Sequence, residues 1–204
     1  QRQMCIRDRV RLSLYGAQGA PCFSQVQRPG VEPYYRNDHT PDPAEALFEA
    51  RIDAPALWTP ETPNLYDLEV QLLRGEAVAD TVLSYFGMRE IRIHGNQVCL
   101  NGAVLYQRLI LDQGYWKDSH LTPPSEAALV EDIEKIMALG YNGVRKHQKT
   151  EDERFLYWCD VKGLLVWSEF PATYVFNDDA VENVMREWTE IVRQNYNHPA
   201  IITW

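Results

Sequence analysis

The stretch that decides the architecture is Ser125–Trp167, SEAALVEDIEKIMALGYNGVRKHQKTEDERFLYWCDVKGLLVW. Two periods alternate within it. Leu129, Ile133, Ile136 and Met137 recur at helical spacing behind Ser125, whose hydroxyl suits an N-cap, and Gly140 marks the helix end. Gly143 to His147 then reads as a short strand. Thr150 and Glu153 stand at capping-box spacing and open a second helix with Phe155, Trp158 and Cys159 on one face, closed by Gly163. Leu164 to Trp167 is a continuous apolar run, as expected of a strand covered on both faces. Such strands alternating with helices predict a parallel sheet with right-handed crossovers. A doubly wound sheet and a (β/α)8 barrel both satisfy that pattern, and periodicity does not choose between them.

Toward the C-terminus, Val181, Val184, Met185, Trp188, Ile191 and Val192 stripe a third helix that begins near Asp178 or Asp179, and Ile201 to Trp204 starts a further strand. Trp158 and Trp188 lie on helical stripes and are expected in the core. Upstream, Val98 to Gly102 and Val104 to Leu111 read as strands around an Asn101-Gly102 turn. Before Gly95 the period is two. Val10, Leu12 and Leu14 alternate with polar residues, as do Phe48, Ala50 and Ile52, and then Leu68, Val70 and Leu72; each predicts a strand with one buried face. Arg74-Gly75-Glu76 fits a hairpin tip leading into Thr81 to Phe86. Pro29, Pro33, Pro41, Pro43, Pro55, Pro60 and Pro63 fall between these strands, where a missing N–H costs no ladder bond. The expected fold is therefore multidomain β plus α/β. Residues 10–93 form an incomplete Ig-like β-sandwich, and residues 94–204 form the first half of a (β/α)8 TIM barrel, which when complete takes about 250 residues. Residues 1–9 (QRQMCIRDR) contain no secretory apolar region and are read as non-native or disordered, Met4 to Arg9 looking like translated sequencing-adaptor sequence.

The formal charge of −9, with no dense Lys/Arg cluster, argues against nucleic acid as a partner. No apolar run has the length a membrane helix needs, so a membrane is not an expected partner. The 4 cysteines, Cys5, Cys22, Cys99 and Cys159, lack metal-site spacing and are read as free thiols. Free thiols slightly favour the cytoplasm, but localisation and oligomeric state stay open.

Active sites of α/β folds lie at the C-terminal ends of the strands. Asp112 ends the first candidate strand of the α/β region, Arg145 and His147 end the second, and Glu169 ends the third. Trp204 ends the fourth, where it would line a pocket floor. A charge at the end of a buried strand needs a partner or a ligand. A carboxylate, a guanidinium and an imidazole around one mouth suit a neutral, polyhydroxylated substrate, because they offer directional hydrogen bonds. Tyr115, Trp116 and Tyr174 lie on loops after strands, where aromatic faces stack on sugar rings or simply pack locally. Residues 115–124 are expected to form a substrate-side loop.

The strings LWTPETPNLY (Leu57 to Tyr66), YFGMR (Tyr85 to Arg89), VCLNG (Val98 to Gly102), LDQGYW (Leu111 to Trp116), GYNGVRKH (Gly140 to His147), GLLVWSEFP (Gly163 to Pro171) and NHPAIITW (Asn197 to Trp204) occur in that order. Together they resemble family 2 glycoside hydrolases, the group of β-galactosidases, β-glucuronidases and β-mannosidases. The resemblance spans about Val10 to Trp204. It implies a parent enzyme with a sugar-binding sandwich, an Ig-like sandwich and a catalytic barrel. It also implies retaining hydrolysis of β-linked sugars by two Glu residues about 5 Å apart, one acid/base and one nucleophile. By the resemblance both lie beyond Trp204, so no catalytic residue is expected within this chain, and the chain by itself is expected to be inactive.

Also by the resemblance, Arg145 matches the arginine that supports the nucleophile region. Glu169 matches an acidic residue that in some relatives helps hold magnesium, and Asp112 falls at a polar substrate-side position. His147 fits less well, because the galactosidase-type R-x-x-H-Y-P is here Arg145-Lys146-His147-Gln148-Lys149. No metal site is expected from these residues and no cofactor is implied, magnesium remaining open for the parent. The expected partner is a carbohydrate substrate. Two alternatives stand beside this reading: a non-catalytic carbohydrate-binding or scaffold protein with a degenerate barrel, and a different barrel enzyme such as a lyase or aldolase using a Schiff-base lysine.

Overall fold

The computed structural model describes residues 8–16, 19–29 and 46–204. The chain divides into two compact units at residues 55/56, 65/66 and 86/87. The first unit holds β1 (Asp8–Tyr15), β2 (Pro21–Gln27), β3 (Tyr66–Arg74) and β4 (Ala77–Phe86) in one antiparallel sheet of order β2-β1-β3-β4. The tip joining β3 to β4 is Gly75-Glu76, as the sequence suggests. Cross-strand pairs hold the register: Ser13 and Ser24 hydroxyls at 3.1 Å, Arg11 on Gln71 at 3.0 Å, and Tyr66 stacked on Phe86.

Two expectations need correcting in this unit. Asp8 and Arg9 belong to β1, pairing with Arg74 and Leu73, and the Arg9 guanidinium donates to Gly75 O and Glu76. Within the segment expected to be non-native or disordered, these two residues are therefore ordered; the rest of it lies outside the described residues. The strand expected around Phe48 to Ile52 does not form. Its alternation meets no ladder partner among the described residues, and Ala54 (φ 48°) and Pro55 close it off from regular extension.

The second unit opens with a three-stranded antiparallel sheet, β5 (Ile91–His94), β6 (Gln97–Leu100) and β7 (Ala103–Val104). A parallel sheet follows, of order β11-β10-β9-β8, built from β8 (Leu109–Asp112), β9 (Gly143–Lys146), β10 (Leu165–Ser168) and β11 (Ile201–Thr203). Helices α1 (Glu126–Ala138), α2 (Glu153–Lys162) and α3 (Asp178–Asn195) connect those strands in turn. Ser125 caps α1 through Ala128 N, and Gly163 ends α2 in the left-handed conformation (φ 79°). Leu129, Ile133, Phe155, Leu156 and Cys159 of α1 and α2 pack against Val144, Leu165, Val166 and Ile201 in one core. Cys22, Cys99 and Cys159 are free thiols; Cys5 lies outside the described residues.

Three elements differ from their sequence reading. The run expected as one strand over Val104 to Leu111 is β7 and β8 with an irregular link, because Asn142 takes over the backbone there. Its Oδ1 accepts from Arg108 N (2.7 Å) and its Nδ2 donates to Tyr106 O (2.8 Å). The α2 cap is Asp152, accepting from Arg154 N, and not Thr150. The α3 stripe is not core: Val181 and Met185 are exposed, and Trp188 is half-buried, edge-on to Phe170 and Trp204.

Residues 56–65 lie against the C-terminal end of α2, and residues 87–89 against the start of β11. The fully buried Trp58 donates its indole N–H to Asp160 O at 2.8 Å. Asp160 accepts from Ala200 N at 2.8 Å and meets His198 Nδ1 at 2.5 Å. The Arg89 guanidinium donates to Pro199 O (3.1 Å) and Ile201 O (2.6 Å). Among the described residues no helix is long and apolar enough to cross a membrane, which says nothing of β-barrels.

Candidate functional site

Asp112, Arg145, His147, Glu169 and Trp204 all stand at the C-terminal end of the parallel sheet, the end from which the loops to the helices leave. They do not share one face. In register, Leu111, Arg145 and Trp167 are neighbours, and one step on come Asp112, Lys146 and Ser168. Side chains alternate faces along a strand, so these two rows point oppositely. The second row looks into the helical layer, where Lys146 and Ser168 are buried and the Lys146 ammonium sits 4.0 Å from the Phe155 ring centroid on α2. The first row looks out on the other side, where Leu111 is exposed and Arg145 and Trp167 are half-buried.

On the open face the Arg145 guanidinium lies over the Trp167 ring, 4.8 Å from its centroid, and donates to Glu169 Oε1. Glu169 Oε2 accepts from Gln148 N at 2.9 Å. Burial pushes the Glu169 carboxyl upward, but the Arg145 hydrogen bond, the Gln148 N–H and the Arg145 charge together hold it below its ordinary value. A carboxylate with both oxygens engaged, one by a guanidinium, is poorly suited to a magnesium ion. Among the described residues no three His, Cys, Asp or Glu side chains gather to hold a metal.

His147 sits beside this pair. Its N–H donates to Asp112 O (2.9 Å), and its Nδ1 is 3.0 Å from Gln113 Nε2. Gln148 reaches Tyr174, whose hydroxyl donates to Gln148 Oε1 at 3.0 Å, so this exposed tyrosine is tied to the loop that carries the Glu169 contact. Tyr115 is exposed, and Trp116 packs on the core beneath its loop. Trp204 stacks edge-on against Trp188 at 5.5 Å, and Trp188 in turn meets Phe170, the residue after Glu169. A cavity of about 720 Å³ opens between the β9–α2 and β10–α3 loops and α3, lined among others by Gln148, Thr150, Phe170, Asn183 and Glu187.

On the helical side the Lys146 ammonium lies between Asp112 and Glu151, at 2.7 Å from the latter. Burial works to lower its pKa, yet Glu151 and Asp112 raise it above its ordinary 10.5. The Asp112 carboxyl is pushed up by burial and pulled down further by the Lys146 charge and hydrogen bond, with the Gly114 N–H and Lys149 adding to the pull; the balance is a lowered pKa. Lys149 completes the group, reaching Glu151 (3.1 Å), Gly114 O (3.3 Å) and Leu121 O (2.9 Å). The sequence places Lys146 next to Arg145 near the end of the second strand, but strand composition alone does not show that it is buried. The available signal was parity: Lys146 directly follows Arg145 on a strand, so the two must face opposite ways.

A family model described as Glycosyl hydrolases family 2 matches residues 19–89. A putative β-glucuronidase of Formosa agariphila is 32% identical over 96% of this chain and 23% of its own length. A β-galactosidase of Leuconostoc mesenteroides is 30% identical over 78% of this chain and 16% of its own. Among solved structures, a β-glucuronidase of Bacteroides uniformis superposes with a TM-score of 0.83 at 26% identity, covering 97% of this chain and 23% of that one. One from Parabacteroides merdae superposes with a TM-score of 0.81 at 23% identity, covering 96% and 23%. This chain spans less than a quarter of each of these proteins. The architecture is a β-sheet unit followed by a partial α/β unit, and the chain belongs to glycosyl hydrolases family 2.

Proposed function

We propose that this chain supplies an Ig-like domain and the first four strands of a (β/α)8 catalytic domain to a retaining β-glycosidase. The domain boundary falls near residues 86–93. The parent cleaves O-glycosidic bonds of β-linked sugars through a glycosyl-enzyme intermediate, and its acid/base and nucleophile carboxylates come from outside these residues. The observation that carries this reading is the Arg145–Glu169 pair at the mouth of the parallel strands, with the guanidinium partly exposed, the carboxylate mostly buried, and Gln148 and His147 beside it. Its role is to bind and orient. Arg145 presents its remaining N–H groups to sugar hydroxyls or to a neighbouring carboxylate, and Glu169 fixes the plane of the guanidinium. His147 adds a hydrogen-bonding ring to the same rim, and Trp204 offers an aromatic wall. No step requires a cofactor.

A Schiff-base aldolase or lyase reading would need an uncharged amine. Lys146, the buried candidate, is held as an ammonium between two carboxylates, which opposes imine formation.

The test has two arms. 4-Nitrophenyl β-glucuronide, β-galactoside and β-mannoside are offered to the 204-residue chain and to a protein extended past Trp204 along its own reading frame. The extended protein is expected to hydrolyse at least one with retention at the anomeric carbon, and the short chain none. Turnover by the short chain would refute the placement of the carboxylates; an extended frame with no Asn-Glu and no turnover would favour the non-catalytic alternative.

A further inference from the structure

Asp112 looks from the sequence like a residue that touches substrate, but neither of its oxygens is free to do so. Oδ1 accepts from Gly114 N at 2.7 Å, closing a turn on itself, and Oδ2 is taken by Lys146. Both carboxylates of the helical-side group are matched by ammonium ions, Asp112 and Glu151 against Lys146 and Lys149, so the group is neutral as a whole. It also joins two loops. Lys149 grips the carbonyls of Gly114 and Leu121 from the β9–α2 loop. Gly114 has φ 65°, and a Cβ there would stand 2.5 Å from Lys149 Nζ, so the turn and the lysine fit each other without slack.

The residue held out by this turn is Gln113. It is exposed, lies between the anchored Asp112 and Gly114, and its amide nitrogen is 3.0 Å from His147 Nδ1. That contact engages only the amide nitrogen, and the exposed Gln113 keeps its amide oxygen and a second N–H for a ligand. A carboxamide with an acceptor and a donor side by side is suited to a pair of adjacent hydroxyls on an uncharged sugar ring.

We propose that Asp112, Lys146, Lys149 and Glu151 are positioning residues that latch the β8–α1 turn, and that Gln113, held by that latch and by His147, is the side chain of this turn that binds sugar hydroxyls. The assignment rests on the glycosidase reading above. The latch also holds the fold, but its effect on sugar binding passes only through Gln113, and this is what separates it from a purely structural role.

The probes are methyl β-D-galactopyranoside and methyl β-D-glucopyranoside, titrated into the chain by ligand-observed NMR. Gln113→Ala is expected to weaken binding about five-fold, the worth of one or two neutral hydrogen bonds, with an unchanged melting temperature. Lys149→Met is expected to weaken binding equally and to speed hydrogen exchange at residues 113–116. The double variant is expected to bind no worse than Gln113→Ala, because the lysine has nothing left to position. Unchanged affinity in Gln113→Ala overturns the proposal. So does additive loss in the double variant, which would mean that Lys149 acts by another route. If Lys149→Met does not fold, exchange and affinity of Lys149→Arg replace it, with near-native values expected and a loss as large as that of Gln113→Ala overturning the latch. Absence of binding of either sugar to the unmutated chain overturns the sugar reading itself, and is distinguished from the other outcomes because it appears before any substitution is made.

Discussion

Arg145 and Lys146 are consecutive cations at the end of one strand, and they lead opposite lives. Arg145 is on the open face with its side chain 39% exposed, paired with one carboxylate and laid over an indole ring. Lys146 is 3% exposed among helix residues, held by two carboxylates and a phenyl ring. Desolvation separates them. A half-exposed guanidinium keeps much of its hydration and is free to exchange partners, so its pairing contributes little to stability. A buried ammonium depends on its carboxylates, and they on it, so removing any one leaves an uncompensated charge. Alternation along β9 therefore divides one charged sequence motif into a recognition group and a folding group.

The sharpest break of that contrast is Lys146→Met, which removes the Asp112 ion pair and leaves Glu151 with Lys149 alone. A loss of about 3–5 kcal/mol in urea unfolding followed by tryptophan fluorescence is expected, concentrated in the second unit. Arg145→Gln is expected to cost about 1 kcal/mol or less in the same measurement, but to lower glycoside affinity by more than it lowers stability. A Lys146→Met chain as stable as the parent would erase the distinction.

Titration probes the same division. Asp112 and Glu169 have folded pKa values below their ordinary 3.8 and 4.5, so the stability they contribute is present above those ordinary values and is lost as pH falls through the lower folded ones. Lys146, raised above 10.5, contributes stability that is complete below 10.5 and disappears as pH climbs through its higher folded value. A plateau across neutral pH with an acid limb below about pH 4 is expected. In Arg145→Gln the Glu169 share of the acid limb shrinks while the Asp112 share persists, measurable as melting temperature against pH. The smallest effect is expected at the exposed α3 stripe, where Met185→Glu shifts stability by no more than about 0.5 kcal/mol.

Much of the fold was legible because helix and strand periods are local. Ser125 and Gly163 act as the caps they resemble, and β9 and β10 fall within a residue of their expected bounds. The misses arise where a distant group overrides a local signal. Asn142 replaces ladder bonds for Tyr106 and Arg108, and Asp152 outcompetes Thr150 for the α2 cap. The candidate site was legible in position, since every named residue sits at the C-terminal end of the sheet. It was not legible in orientation, because which face of β9 the helices cover is a tertiary fact that strand composition does not carry. Gln113 and Glu151 escaped notice for a related reason: each lies just off a strand end and gains meaning only from a lysine on another loop.

The guanidinium of Arg89 has a structural consequence at the rim of the parallel sheet. Ala200 turns its carbonyl to β10, accepting from Val166, so the carbonyls of Pro199 and Ile201 point to the outer border of β11. Arg89 occupies both of them. A newcomer strand docking along that border finds its first acceptors already plugged and must enter further along, level with Thr203 or later. One arginine thus acts as a stop for sideways zippering at the root of β11, discouraging promiscuous stacking there and setting the offset at which any legitimate neighbour joins.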